Sequence, residues 1–154
     1  MIGRMPRWIC FVPVLVGGVA YGIFGHPTLP IVQFELAGDA LTAAELAAGR
    51  EDEFRAALVV DWVAFIPGYV LTAVLLSTRL GRRGLAGLLV VAAVAAGLFD
   101  VVENARLWSG LEDGTDAAFQ QARAFALAKF GLLTVVLALG VVAVARRRPA
   151  NLSP

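Results

Sequence analysis

The chain has 154 residues, of which 59% are hydrophobic and only 16% charged, with a mean hydropathy of +0.78. Soluble domains hold roughly 45–50% apolar and about 25% charged residues, so an ordinary water-soluble domain is excluded. The formal net charge of +1 hides an uneven distribution along the chain.

The first apolar run, Trp8–Gly25, follows the basic start MIGRMPR. It exceeds the 7–15 residues typical of a signal-peptide core, lacks a clear small-residue cleavage site, and is read as a membrane span. Cys10 is the only cysteine, so no internal disulfide can form, and it reads as a small apolar residue in a helix. Gly18 and Gly22 stand in a small-xxx-small pattern that offers close packing within the bundle, and is compatible with a homo-oligomer or a larger membrane complex.

The loop that follows, HPTLPIVQFELAG, is broken by Pro27 and Pro30, which cannot continue a helix. Its Ile31, Val32, Phe34 and Leu36 are apolar enough to lie back on the bundle. Thr42-Ala-Ala-Glu45 has the form of a capping box and predicts a short helix at the interface, so this loop should lid the outer face. Glu51 and Arg55 are spaced for an i,i+4 pair.

Three further runs, about 56–78, 85–108 and 122–145, are long and apolar enough to span, since a crossing needs about 17–25 residues. Pro67-Gly68 should kink the first of these, the second span of the chain, just below Asp61. The connection SGLEDGTD reads as an acidic turn, and the tail 149–154 as disordered. The expected fold is all-α: one membrane domain over 1–154, an integral membrane four-helix bundle with the bilayer as its first partner.

Eight of the thirteen basic residues fall in three clusters: Arg4 and Arg7; Arg79, Arg82 and Arg83; Arg146, Arg147 and Arg148. With four spans these share one side, and the positive-inside rule makes it cytoplasmic. A multi-pass membrane protein with both termini on the cytoplasmic side is therefore expected. Nucleic acid is a poor partner, because the arginines lie on three short ends with no recognition element.

Depth along each helix locates the polar residues. Asp61 lies eighteen residues from Arg79, Asp100 seventeen from Arg83, Lys129 seventeen from Arg146 and His26 nineteen from Arg7. At about 1.5 Å per residue, each sits roughly 25–28 Å above the inner arginines, near the outer edge of a core about 30 Å thick. Asp100, Glu103 and Asn104 share one narrow helical arc with Ala93, Ala96 and Gly97, while Val91, Leu98 and Val102 lie opposite and Arg106 points away. Asp61 shares a face with Ala64, Gly68 and Thr72, and Lys129 with Ala122, Ala126 and Gly140. These positions predict a polar pocket in the outer third of the bundle, lined by Asp61, Asp100, Glu103, Asn104 and Lys129, with His26, Tyr69 and Glu35 as further candidates.

The succession FELAG (34–38), DW (61–62) with Tyr69 eight residues on, DVVEN (100–104) and KF (129–130) resembles a family of small bacterial four-span proteins. The resemblance covers most of the chain. It implies a fold and a set of shared polar positions, and no reaction. It also brings Glu35 from the loop into the cluster.

Three roles compete for these residues. As structural charges they would hold helices in register, near the interface where a charge costs less than at the bilayer centre. That suits one acid and one base better than three intramembrane acids against one lysine. As a ligand site they would bind or act on a lipid-like or small polar molecule from the outer leaflet. Crowded carboxylates hold protons unequally, and an enzyme would use Asp100 and Glu103 as acid and base, with Lys129 as electrostatic partner and Asn104 as positioner. A proton-coupled transporter fits less well, since the inner two thirds of the third and fourth spans look dry, with no ionisable residue to relay a charge. No cofactor is expected. No metal is expected either, because a dinuclear bundle site needs E-x-x-H helices and His26 is the sole histidine.

Overall fold

In a computed structural model, residues 6–26, 28–80 and 82–145 are described, and among them the structure is helical throughout, with no strand. Arg4, Pro27, Arg146, Arg147, Arg148 and the tail 149–154 lie outside the described residues, as does the side chain of Arg7.

A 3-10 turn, Arg7–Phe11, leads into α1 (Val12–Phe24). Two short helices, α2 (Ile31–Glu35) and α3 (Ala40–Ala47), build the loop over one end of the bundle. A long helix then runs as α4 (Glu51–Val60), a π turn (Asp61–Phe65) and α5 (Ile66–Ser77). The last two are α6 (Arg83–Asp113) and α7 (Asp116–Ala145).

Glu51–Ser77, Arg83–Asp113 and Asp116–Ala145, at 27, 31 and 30 residues, are long and apolar enough to cross a membrane. The apolar segment Trp8–Phe24 is shorter. The long helices overrun the expected limits because their ends are carried by polar turns. Trp108 Nε1 donates to Glu112 at 2.9 Å and Ser109 Oγ to Asp113 at 2.9 Å, so helix α6 continues through residues expected to form a turn. The connection shrinks to two residues, with Gly114 in the left-handed region (φ 64°) ending α6.

Side chains on the outside of the bundle are apolar: Val91, Leu98 and Val102 are 66%, 62% and 37% exposed, as their position opposite the acidic arc requires. Arg106 is exposed as well. The interior is built from small residues and a few large ones. At one end Cys10, Ala73, Leu76, Leu89, Ala93 and Ala143 pack together. There Arg79 donates to Cys10 Sγ at 3.1 Å and to the Pro6 carbonyl at 3.2 Å. At the other end α2 and α3 sit on the bundle through Phe34, which is fully buried, 4.4 Å from the Phe54 ring and 5.9 Å from Phe119.

Four local expectations are corrected. The α3 cap is Asp39, not Thr42: its carboxylate accepts from the Thr42 amide at 2.8 Å and from Thr42 Oγ1 at 2.9 Å. Asp is at least as good an N-cap as Thr, and those bonds hold the Asp39 carboxyl below its usual range. Arg55 pairs with Asp52 at 3.2 Å, because Glu51, in the first turn of α4, bends back to accept from the Gly49 amide at 3.2 Å. The irregularity expected at Pro67-Gly68 appears one turn earlier as the π turn, in which the Ile66 amide reaches the Asp61 carbonyl.

The fourth concerns glycines. Gly18 and Gly22 face open space, and Gly17 makes the close approach: a Cβ there would stand 2.7 Å from the Ala64 carbonyl oxygen. Gly68 plays the reciprocal part, its Cβ position being 2.7 Å from the Pro13 carbonyl oxygen. Helix α1 therefore meets the long helix along Pro13, Gly17 and Tyr21, at i,i+4 spacing, and the Gly18–Gly22 line is rotated off that contact. Across the same seam the Val14 amide, one of the unpaired donors of the first turn, bonds Thr72 Oγ1 at 3.1 Å. Replacing Gly17 by Ala should cost about 1–3 kcal/mol through overpacking against backbone. Gly18→Ala should leave thermal stability in detergent unchanged or slightly raised, so melting curves of the two variants test this packing.

Candidate functional site

Lys129 is the only lysine in the chain; the other twelve basic residues are arginines. It sits in the middle of α7, between Ala122 and Ala126 on one side and Gly140 on the other, all buried. This face packs along α6, where Asp100, Glu103 and Asn104 occupy i, i+3 and i+4. All four side chains are buried.

The ammonium of Lys129 is ringed by carboxylates. Nζ lies 3.0 Å from Asp100 Oδ1 and 3.3 Å from Glu35 Oε2, with Glu35 brought in by α2. From Glu103 it is 3.0 Å to Oε1, in hydrogen-bonding direction, and 2.8 Å to Oε2, which it approaches off that direction and which has no hydrogen-bond donor. A lysine ammonium has three N–H donors, and here three carboxylates take them. The compact point charge explains lysine at this position: an arginine fork could not point at three acids from one atom.

The remaining polar groups extend the network. Tyr69 donates its hydroxyl to Asp100 Oδ2 at 3.1 Å. Asn104 donates from Nδ2 to Asp61 Oδ2 at 2.6 Å. Asp61 stands on the π turn and is half-buried, and no cationic side chain among the described residues pairs with it. Burial pushes the Glu35 carboxyl above its ordinary range, against the opposing pull of Lys129.

Beside this network lies a cavity of about 230 Å³. Glu35, Asp61, Asp100, Asn104 and Lys129 contribute its polar lining, and Tyr21, Ile31, Val32, Phe65, Phe130 and Leu133 are among its apolar walls. At roughly 30 Å³ per water, that is space for about seven or eight waters, enough for a small headgroup and not for a whole lipid. Helix α1 packs on the long helix and α7 on α6, and the two make few contacts with each other. The cavity has walls from both, so it lies along a thinly packed seam of the bundle.

The structure thus brings together Glu35, Asp61, Tyr69, Asp100, Glu103, Asn104 and Lys129. Glu103 and Tyr69 belong to the network without lining the cavity. His26 is not brought in: the chain leaves α1 at Gly25, His26 takes a left-handed backbone (φ 50°), and its exposed ring stands 3.8 Å from Glu53. Tyr21, Phe65 and Phe130 were not anticipated as walls. The available signal for Tyr21 was its place four residues after Gly17. The cation at the centre of the carboxylates is the chain's own Lys129, where a metal centre would need the metal. No protein-family model, curated protein or solved structure matches the chain, so the site is read from its geometry.

Replacing Lys129 by Met leaves two buried carboxylates and the partly buried Glu35 without their cation. Removing one partner of a buried ion pair costs about 3–5 kcal/mol, and a loss of that size is expected on thermal unfolding in detergent. Asp100→Asn should cost much less, because Glu35 and Glu103 continue to hold the ammonium and Asn can still accept from Tyr69.

Proposed function

We propose that the protein is a multi-pass protein of the bacterial inner membrane, with Trp8–Phe24 as a fourth span and both termini cytoplasmic. In this reading it binds, in the outer third of its bundle, a lipid-like or small polar ligand arriving from the outer leaflet. The observation that carries the binding reading is the cavity: a pocket of about 230 Å³ with polar groups from four helical segments in an otherwise apolar wall. A void beside buried charges is costly unless something polar fills it, since such groups lose hydration without gaining a partner. Ligand pockets have this make-up, mostly apolar with a few convergent polar groups.

The thin seam between α1 and α7 supports entry from the side, along the hydrocarbon, and the α2 lid covers the way from water. Phe130 and Leu133 stand where an alkyl chain would pass into the bilayer. In this arrangement Asp61 and Asp100 face the ligand. Glu103 stands behind Lys129, so the roles expected for an acid–base pair fall more naturally to the two aspartates. The four-span topology draws support from the basic residues Arg79, Arg82 and Arg83 at one end of the long helices, and from the resemblance of the FELAG, DW, DVVEN and KF motifs to small four-span proteins.

A second reading has its own observation. Lys129 ties α2, α6 and α7 together through Glu35, Asp100 and Glu103, as a purely structural clamp in an accessory membrane subunit would. The two readings separate in proteoliposomes containing a lipid with a photoactivatable acyl chain. Ligand entry predicts cross-links at Tyr21, Phe130 and Leu133 that disappear when Val32, half-exposed at the cavity wall, is replaced by Trp. Cross-links confined to outward residues such as Val91 and Leu98, and unaffected by Val32→Trp, would leave only the clamp.

A further inference from the structure

The donors and acceptors around the cavity are unequal in number, and the imbalance points to the charge of the occupant. Lys129 has three N–H donors, and three carboxylates lie within 3.3 Å of its Nζ. It has none left for a ligand, so the one cation in the cavity wall cannot act as an anion site. Asn104 spends one of its two amide hydrogens on Asp61. Asp61 is in the opposite condition. It receives that single neutral donor, has no cationic partner among the described residues, and lines the cavity. A carboxylate accepts about four hydrogen bonds, so most of its capacity is unused by the described residues. Beside it stand the rings of Tyr21 and Phe65, 6.1 Å apart, and an aromatic face next to a carboxylate is a setting that favours ammonium groups.

From this arrangement we infer that the cavity takes an ammonium group, carried on an alkyl chain or a small organic amine, with the Asp61 carboxylate as its counter-ion. Phosphate and carboxylate headgroups are rejected, since they would meet carboxylates and no free donor of full charge. The cavity would do for the ligand, with the single Asp61 carboxylate, what the three acids do for Lys129: it holds an ammonium, this time one from outside the chain. The inference rests on the ligand-pocket reading above.

The test uses the full chain purified in a neutral detergent and isothermal titration with four probes: dodecylammonium, dodecyl phosphate, dodecanol and ethylammonium. Dodecylammonium is expected to bind saturably, one per chain. Val32→Trp should abolish that binding, Asp61→Asn should weaken it by about tenfold or more, and Asp61→Glu should largely keep it. Asn preserves the shape of Asp and an acceptor for Asn104, and matching melting curves would confirm that the variant is folded. If it is not, Asp61→Glu against Val32→Trp still decides whether binding occurs in the cavity. Competition by ethylammonium would identify a free amine as the source of the ligand, and binding that needs the chain would identify a membrane amine; either supports the inference.

Dodecylammonium binding that ignores Asp61→Asn in a folded protein would overturn it. So would binding of dodecyl phosphate or dodecanol that is lost in Val32→Trp and as tight as the amine's, in which case the pocket stands and its charge preference falls. If no probe binds in a way that Val32→Trp removes, the pocket reading falls together with the inference.

Discussion

One ammonium group among three carboxylates organises this molecule. Lys129 lies in the apolar middle of α7, where an unpaired charge would be expelled, and it is held there by Asp100 and Glu103 from α6 and Glu35 from α2. These ions are stabilised chiefly by one another, with Tyr69 donating to Asp100 as well, because the ammonium and the Asp100 and Glu103 carboxylates are buried. The consequence is positional. Helices α6 and α7 have one register that brings the acids to the lysine, and α2 has one place where Glu35 reaches it. The fully buried Phe34, adjacent to Glu35, then fixes the lid against Phe54 and Phe119.

The surrounding fold serves that arrangement. Small residues on the inward faces, Ala93, Ala96 and Gly97 on α6 and Ala122 and Ala126 on α7, let the backbones approach closely enough for short side chains to meet. On the other side of the network the π turn at Asp61–Phe65 interrupts the regular helix and carries Asp61 toward Asn104. A π turn is often found where a helix gives up regularity to present a side chain. Because α1 is packed on this long helix through Gly17 and Gly68, it stays away from α7, and the space between becomes the cavity. A saturated lysine and an unsaturated aspartate a short distance apart give the site its asymmetry: one holds the protein together, the other is left to meet something else.

Much of this is legible in the sequence alone. Long apolar runs can only bury their backbone as helices, and the 3.6-residue period places Asp100, Glu103 and Asn104 on the face that also carries the small residues. Counting residues from the arginines put Asp61, Asp100 and Lys129 at one level, which holds as long as the chain stays helical. The same count failed for His26, since the helix ends at Gly25 and the left-handed turn that follows carries the ring away. Glu35 has neither depth nor period to place it, being in a loop, and only the resemblance of the FELAG motif suggested it. The packed glycine was misjudged for a related reason: spacing marks a small-residue line, but which line meets a neighbour depends on the neighbour. Gly17 lies one residue from Gly18, and that 100° rotation separates a backbone contact from open space. The cap at Asp39 and the pairing of Arg55 with Asp52 were decided between near-equal local alternatives, where sequence spacing alone gives no preference.

Because Lys129 is the only lysine, its ammonium can be observed alone. Nitrogen-15 labelling of lysine, in the full chain held in detergent micelles, gives one side-chain Nζ signal. If three carboxylates hold the group, its three protons exchange slowly with water, and the signal shifts when Asp100 is replaced by Asn. A signal that exchanges as fast as a solvated lysine, unmoved by Asp100→Asn, would contradict the ring of carboxylates on which the lid, the register of the helices and the cavity all depend.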